Sequence, residues 1–198
     1  MHRKKILFIT HANVDVNPKL PVPDWGLSVK GKERHVLFNF NPEINNISAV
    51  YSSYEQKAID GGKILSNHLS IELQKVESLK ENDRSSTGFL YEEEFQTTAN
   101  IFFAKPYKSV RGWERAIDAQ NRIVSAIKTI ISNDKSDGDI AIVAHGGVGT
   151  LLFCSLKGEK ISRQYDQPSN GGGNFFTFYK ENFEILHNWR DISLAFPA

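Results

Sequence analysis

Two histidines, His11 and His145, follow strongly apolar segments of the 198-residue sequence, and small polar residues accompany each of them. Thr10 precedes His11, Gly146 follows His145, and a serine pair ending at Ser53 follows a third apolar segment. Imidazole nitrogens can attack phosphorus, and hydroxyls and backbone amides can donate hydrogen bonds to phosphate oxygens. A lone histidine at the end of a strand is more often structural than catalytic. Two histidines and a serine pair at matching positions favour a site that handles a phosphate group.

These residues need a sheet whose strand ends converge. Lys5–Thr10 is rich in β-branched and aromatic residues and predicts a buried first strand, and Asp139–Ala144 is the most apolar run and predicts a central strand. Strands that alternate with helices favour a three-layer α/β/α sandwich with a mostly parallel central sheet, which binds ligands beyond the carboxyl ends of its strands. The other predicted strands are residues 47–51, 72–76, 174–179 and 183–189, the last two as an edge hairpin. The predicted helices are residues 32–40, 55–69, 92–104 and 113–131, and a last helix that follows His145-Gly146-Gly147 and runs through Leu156.

The length and composition predict one globular domain over residues 1–198, because no linker, repeat or low-complexity tract interrupts the chain. Lysine and arginine number 24 against 23 for aspartate and glutamate, so the formal charge of +1 gives no overall attraction to nucleic acid or to an anionic membrane. No apolar stretch is long enough for a signal peptide or a membrane span. We expect a cytoplasmic protein with neither partner. Cys154, the single cysteine, is expected to be buried, and the sequence indicates no oligomeric state.

The order of the motifs resembles the histidine phosphatase (phosphoglycerate mutase-like) superfamily. In that superfamily a strand ending in Arg-His-Gly is followed by Ser-Ser with a downstream Arg-Ala, then by Leu-x-Glu, and then by a strand ending in His-Gly. The resemblance extends over essentially the whole chain. The matching segments are Thr10-His11-Ala12, Ser52-Ser53 with Lys57-Ala58, Leu79-Lys80-Glu81, and His145-Gly146-Gly147.

The resemblance implies that His11 attacks phosphorus as a neutral imidazole, and that water or a second substrate hydroxyl then discharges the phosphohistidine. Lys57 and His145 occupy positions that stabilise the phosphoryl oxygens, and Glu81 occupies the position of the general acid. The segment Leu90-Tyr91-Glu92 also fits Leu-x-Glu. We prefer Glu81 because it directly follows the third predicted strand, whereas the rival glutamate fits the acidic first turn of a helix.

The chain also departs from the family pattern. Thr10 replaces the arginine before the nucleophile, Ala12 replaces the glycine after it, and Lys57 replaces the second arginine. The first change removes a planar bidentate donor. The change to Lys57 keeps the positive charge but loses the paired donors of a guanidinium. Arg84 and Arg111 lie in loops from which a guanidinium could be restored, and Arg84 is the better placed because it follows the predicted general acid closely. For both arginines, a solvated surface position is the alternative.

The predicted phosphate-binding set is Thr10, Asn13, Ser53, Lys57, Arg84 and Gly146. Asn13 can instead serve as an ordinary turn-forming residue. The glycine-rich run at residues 169–174 lacks the Lys-Ser/Thr of a P-loop, so a flexible connection or bulge is the preferred interpretation. The remaining histidines show no metal-ligand spacing, and we expect neither a metal nor another cofactor.

Taken together, these features predict a metal-independent phosphatase that acts on a small phosphorylated metabolite or a phosphoprotein, with mutase-type transfer less favoured. The alternative is a catalytically impaired relative that binds a phosphate-bearing ligand or partner without turnover, since Thr10 cannot supply the missing charge. A nucleotide-binding doubly wound domain also has alternating strands and helices, but no Gly-x-Gly-x-x-Gly fingerprint follows the first strand. The loops at residues 12–25 and 84–113 would set the specificity, and they identify no substrate.

Overall fold

A computed structural model describes residues 3–194 of the chain. Residues 1–2 and 195–198, which the predicted domain includes, lie outside the described residues. The strands are β1 Lys5–Thr10, β2 Ile47–Ser52, β3 Leu73–Lys75, β4 Asp139–Ala144, β5 Asn174–Tyr179 and β6 Ile185–Asp191. The α-helices are α1 Val29–Phe38, α2 Gln56–Leu69, α3 Glu92–Ala104, α4 Ala116–Asn133 and α5 Gly146–Lys157.

The six strands form one mixed sheet in the order β3-β2-β4-β1-β5-β6. The first four strands of that order are parallel, and the β5–β6 hairpin adds antiparallel to β1. At the carboxyl ends, the His11 N–H donates to the Ala144 carbonyl at 3.0 Å and the Ser53 N–H donates to the Val143 carbonyl at 3.2 Å. The predicted architecture is confirmed, and the ends of β1, β2 and β4 lie side by side.

The core consists of two apolar layers on opposite faces of the sheet. Along β1, Ile6 and Phe8 face the layer that contains α4 and α5, while Leu7 and Ile9 face the layer that contains α1 and α2. All four side chains are inaccessible to solvent. Each contributes about 1.5–3 kcal/mol by burial, so β1 is held firmly on both faces. This packing fixes the strand that ends at His11.

Helices α1 and α4 each begin three residues away from the predicted start. Helix α1 begins at Val29, three residues early, because the Ser28 hydroxyl accepts the Gly31 N–H and caps the helix. Helix α4 begins at Ala116 and not at residue 113, because Arg111 and Gly112 adopt left-handed backbone angles, with φ of 54° and 83°.

Cys154 is buried, as predicted. Among the described residues, none of the helices combines the length and the apolar character that crossing a bilayer requires.

Candidate active site

The imidazole rings of His11 and His145 lie next to each other, with ring centroids 5.3 Å apart and planes inclined by 63°. Nδ1 of His11 lies 3.0 Å from the Ala12 carbonyl oxygen, which can only accept, so Nδ1 carries the proton of the neutral ring. Burial, reinforced by the Lys57 ammonium, lowers the pKa of His11 to about 4. At neutral pH the ring is therefore uncharged and Nε2 holds a lone pair, which is the form that a nucleophile requires.

His145 is fully buried, and its Nε2 lies 2.7 Å from the Ser53 hydroxyl oxygen. That oxygen also accepts the Glu55 N–H, and Oε1 of Glu55 lies 3.4 Å from the same Nε2. Burial lowers the pKa of His145 well below its usual range, so the ring is neutral. Nδ1 has no partner within residues 3–194. A buried polar atom without a hydrogen-bond partner costs about 1–3 kcal/mol, so His145 Nδ1 is available to a bound ligand.

Glu55 and Lys57 form a buried ion pair beside the histidines, with Lys57 Nζ 2.5 Å from Glu55 Oε2. Lys57 also donates to the Val22 carbonyl at 3.0 Å, and the other Glu55 oxygen accepts the Glu81 N–H at 2.8 Å. Burial opposes ionisation of Glu55, but the Lys57 ammonium and the hydrogen bonds from Lys57 and from the Glu81 N–H outweigh it and lower the pKa of Glu55. The predicted cation is therefore held as one half of an ion pair.

Glu81 lies at the amino end of α5. One carboxylate oxygen accepts the Gly147 N–H at 2.9 Å, and the other accepts the Val148 N–H at 2.9 Å and the Asn82 N–H at 3.0 Å. A Cβ at Gly147 would lie 2.6 Å from Glu81 Oε1, so the glycine leaves room for this approach of the carboxylate. The fold thus brings Glu81 to the start of the helix that follows His145.

A cleft of about 450 Å³ opens beside Glu55 and Glu81, and Arg84 lines it. The Arg84 guanidinium carbon lies 4.8 Å from the centre of the Phe95 ring, and no hydrogen bond or ion pair links the guanidinium to residues 3–194. After burial and Lys57, the charge of Arg84 further lowers the pKa of His11. Arg84 is thus an available guanidinium at the rim of the site. Apolar parts of the cleft wall come from Pro21, Val22, Pro23 and Tyr54.

The side chains of Thr10 and Asn13 form hydrogen bonds with other segments of the protein. The Thr10 hydroxyl donates to Gln167 Oε1 at 2.7 Å and accepts the Asn174 N–H at 3.0 Å. The side-chain oxygen of Asn13 accepts from Arg34 at 3.0 Å. Both residues lie close to His11 along the chain, but their polar atoms serve the packing of neighbouring segments.

Arg111 and Glu92 both pair with side chains of α3. Arg111 forms an ion pair of 2.7 Å with Glu94, on the first turn of α3. Glu92 begins the same helix, is exposed, and accepts from Gln96 at 2.9 Å. The rival Leu-x-Glu segment therefore supplies the acidic first turn of a helix.

The glycine-rich run forms a tightly packed turn beneath the nucleophile. The Gly173 N–H donates to the His11 carbonyl at 2.8 Å, and a Cβ at Gly172 would lie 2.3 Å from the same oxygen. Both glycines have positive φ, 76° at Gly172 and 65° at Gly173. Glycine is thus required on steric and conformational grounds, and the turn supports the backbone of His11.

Sequence reasoning missed two residues of this site, Glu55 and Gln167. Glu55 could have been predicted, because it is a charged residue between Ser53 and Lys57, in a connection that must be buried. Gln167 contacts Thr10 across 157 positions of sequence, and no local pattern marks it. Within residues 3–194, no three His, Cys, Asp or Glu side chains are grouped so as to hold a metal ion.

This arrangement of strand ends, paired histidines and an acidic residue defines a histidine phosphatase-type site. The family model described as histidine phosphatase superfamily (branch 1) matches residues 6–191. The chain belongs to this superfamily.

Solved structures with the same fold are only distantly similar in sequence. Bacillus stearothermophilus YhfR is 19% identical, with a TM-score of 0.75 over 93% of this chain and 95% of its own. A mycobacterial glucosyl-3-phosphoglycerate phosphatase in complex with inorganic phosphate is 16% identical, with a TM-score of 0.75 over 97% and 100%. The alpha-ribazole phosphatase from Shigella flexneri is 13% identical, with a TM-score of 0.76 over 98% and 100%. The search of curated proteins gives no significant match.

Proposed function

We propose that the protein is a phosphatase that hydrolyses phosphate esters through a phosphohistidine on His11. The observation that carries this proposal is the fixed neutral ring of His11, whose Nδ1 proton is held by the Ala12 carbonyl and whose Nε2 forms no hydrogen bond with residues 3–194. The unpartnered Nδ1 of His145 beside it is available to a phosphoryl oxygen. Neither feature serves the packing of the fold.

The reaction has two steps. His11 Nε2 attacks phosphorus, the bond from phosphorus to the ester oxygen breaks, and the protonated carboxyl of Glu81 gives its proton to the leaving oxygen. Water then attacks the phosphohistidine, Glu81 takes the proton from that water, and His11 is released with inorganic phosphate. His145, Lys57 and Arg84 stabilise the charge on the phosphoryl oxygens in both steps.

The cleft beside Glu81 accommodates the leaving group. Its volume of about 450 Å³ lies in the range of small-molecule sites. A small phosphorylated metabolite is therefore the favoured substrate over a large partner, and the reaction needs no metal ion as written. The composition, with one buried cysteine, fits a cytoplasmic setting for this activity.

Binding without turnover is the second candidate function. It is favoured by the absence of an arginine at Thr10 and by the capture of Lys57 in an ion pair with Glu55. A protein of this kind would bind phosphate or vanadate and leave phosphate esters intact.

The test is hydrolysis of p-nitrophenyl phosphate and of a panel of phosphorylated metabolites by wild type, His11→Ala and His68→Ala. His68 is an exposed histidine on α2 and serves as the matched control. We expect His11→Ala to lose all detectable turnover with an unchanged melting curve, and His68→Ala to keep wild-type activity. An active His11→Ala variant would remove His11 from its assigned role, and an inactive wild type that binds vanadate would establish the second candidate.

A chelator arm addresses metal independence. EDTA should leave the rate unchanged. Inhibition by EDTA that zinc or magnesium reverses would indicate a metal-dependent reaction instead.

A further inference from the structure

The side-chain amide of Gln167 bridges the two segments that carry the histidines. Its Oε1 accepts from the Thr10 hydroxyl at 2.7 Å and from Asn174 Nδ2 at 3.0 Å. A Cβ at Gly146 would lie 2.3 Å from Gln167 Nε2. The amide therefore extends from the last residue of β1 to the first residue of α5, and its nitrogen is the end that lies against Gly146.

A chain of hydrogen bonds that starts at a carboxylate fixes the orientation of this amide. Asp191 can only accept, so the Asn170 side-chain nitrogen must be the atom that lies 2.8 Å from it. Asn170 Oδ1 then accepts from Asn174 Nδ2 at 2.9 Å, and the same nitrogen donates to Gln167 Oε1. If the nitrogen and oxygen of any one of these three side-chain amides were exchanged, two donors or two acceptors would face each other. The nitrogen of Gln167 is consequently the atom that faces Gly146.

The segment that carries Gln167 is held in place by its neighbours. Arg163 forms an ion pair of 2.6 Å with Asp166, next to the glutamine in sequence, and also donates to Asn100 at 2.7 Å on α3. The Tyr165 carbonyl accepts from Trp189 at 2.8 Å. Gln167 is thus a positioned side chain on an anchored segment.

The amide nitrogen of Gln167 has no described partner, although the oxygen of the same group accepts two hydrogen bonds. It lies between Thr10 and Gly146, the residues that adjoin His11 and His145 along the chain. A side chain longer than threonine at position 10 would leave the backbone in the direction of Gln167, because the Thr10 hydroxyl already points there. Gln167 therefore occupies the space that a larger residue at position 10 would enter.

We infer that Gln167 is a phosphate-contacting residue, whose Nε2 donates to a phosphoryl oxygen where the chain lacks an arginine at position 10. This inference rests on the proposed function. It assigns to Thr10 the role of a positioning residue that holds the amide oxygen, so that the donor end faces the phosphate.

The test compares orthovanadate binding by calorimetry, and kcat/KM on p-nitrophenyl phosphate, for wild type, Gln167→Glu, Gln167→Ala and Gln164→Ala. Gln167→Glu keeps an oxygen that can accept the hydrogen bonds from Thr10 and Asn174. It replaces only the Nε2 donor, by a second carboxylate oxygen that carries negative charge. Gln164 is an exposed glutamine in the same segment whose side chain has no described hydrogen bond, and it is the matched control.

A lost hydrogen bond to a charged group predicts a Kd for vanadate about 10-fold or more weaker in Gln167→Ala. Gln167→Glu should bind more weakly still, because it brings a negative charge towards the anion, and Gln164→Ala should match wild type. If Gln167 were only structural, Gln167→Glu would bind as wild type does, and that result would overturn the inference. If Gln167→Glu does not fold, Gln167→Ala provides the test. Vanadate binding as tight as in wild type by a folded Gln167→Ala protein would exclude a contact between Gln167 and the anion. A wild type that binds no vanadate would remove the proposed function as well.

Discussion

The groups on the two sides of His11 differ in charge. On the side of β5, the groups that contact Thr10 and continue from it are neutral: the linked amides of Gln167, Asn174 and Asn170. The last of these amides donates to Asp191, which pairs with Arg34 at 3.0 Å. On the side of β2, the groups are ionised: the Glu55–Lys57 pair, Glu81 and Arg84. We refer to these as the amide side, consisting of Thr10, Gln167, Asn170 and Asn174, and the charged side, consisting of Glu55, Lys57, Glu81 and Arg84.

We propose that this difference compensates for the lack of an arginine at position 10. In this proposal, the amide side supplies one oriented neutral donor, Gln167 Nε2, whose direction is fixed by a hydrogen-bond chain. On the charged side, the cations remain, but one of them is compensated by a buried carboxylate. Orientation therefore comes from one side of the site and charge from the other, and the predictions below separate the two contributions.

The largest effect is expected at the general acid on the charged side. Glu81→Gln keeps the shape of the side chain and removes the proton donor, so kcat on an alkyl phosphate should fall by about 10²–10⁴-fold. On p-nitrophenyl phosphate, whose leaving group needs less protonation, the loss should be smaller. Steady-state kinetics on both substrates provides the measurement. Equal losses on the two substrates would contradict the role of Glu81 as a proton donor.

The ion pair on the charged side should contribute strongly to stability. Glu55→Gln leaves the Lys57 charge buried without a counter-ion, which typically costs about 3–5 kcal/mol of the free energy of unfolding. Added phosphate should recover part of this loss by binding the released ammonium. Thermal unfolding with and without phosphate measures both quantities. A phosphate-induced rise in Tm no larger in Glu55→Gln than in wild type would show that Lys57 does not contact the anion.

The arginine at the rim should contribute binding energy without affecting stability. Arg84→Ala is expected to weaken phosphate binding by about 1.5–3 kcal/mol, the range for hydrogen bonds to charged groups. Arg111→Ala is the matched control, because Arg111 is paired with Glu94 outside the site. Calorimetric titration with phosphate provides the measurement. Equal affinities for Arg84→Ala and Arg111→Ala would place Arg84 outside the phosphate site.

The smallest effect concerns His35, which lies behind the amide side and accepts the Ala12 N–H at 3.2 Å. Burial lowers the pKa of His35 to about 3, with smaller contributions from His11 and Arg34. In the unfolded chain, a histidine takes up its proton near pH 6.5, whereas folded His35 stays neutral to about pH 3. This histidine therefore reduces stability as the pH falls from about 6.5 to about 3, and has no such effect above 6.5.

His35→Gln should remove that part of the pH dependence. Relative to its own value at pH 7.5, wild type should lose about 1.4 kcal/mol more than the variant by pH 5.5, one unit below the histidine pKa of the unfolded chain. Urea unfolding at the two pH values measures the difference. Parallel curves for the two proteins would show that His35 titrates alike in the folded and unfolded chain.

The sequence predicted those parts of the fold that depend on local pattern. Asp139–Ala144 and Glu92–Ala104 were predicted with their observed bounds, since an uninterrupted apolar run and a helical apolar period are local signals. The start of α4 was predicted less well, because it depends on left-handed backbone angles at Arg111 and Gly112. The left-handed angle of an arginine is set by tertiary packing.

Within the site, the sequence indicated which groups the strand ends bring together, but not their partners. The Glu81 contact with Gly147 spans 66 positions and the Thr10 contact with Gln167 spans 157. Such contacts follow from sheet topology, which composition and periodicity do not specify at this level. The compensation of Lys57 by Glu55 likewise depends on the burial of both side chains.

The central claim, nucleophilic attack by His11, is tested most directly by trapping the phosphoenzyme. The Glu81→Gln variant is mixed with p-nitrophenyl phosphate and quenched rapidly, because this variant should slow hydrolysis of the phosphohistidine more than its formation. Mass spectrometry should then find phosphate that is labile in acid and stable in base on the peptide that contains His11. The phosphate should be on Nε2, because Nδ1 is bonded to the Ala12 carbonyl. Phosphate on another residue, or turnover without any phosphoenzyme in the quenched protein, would contradict the account.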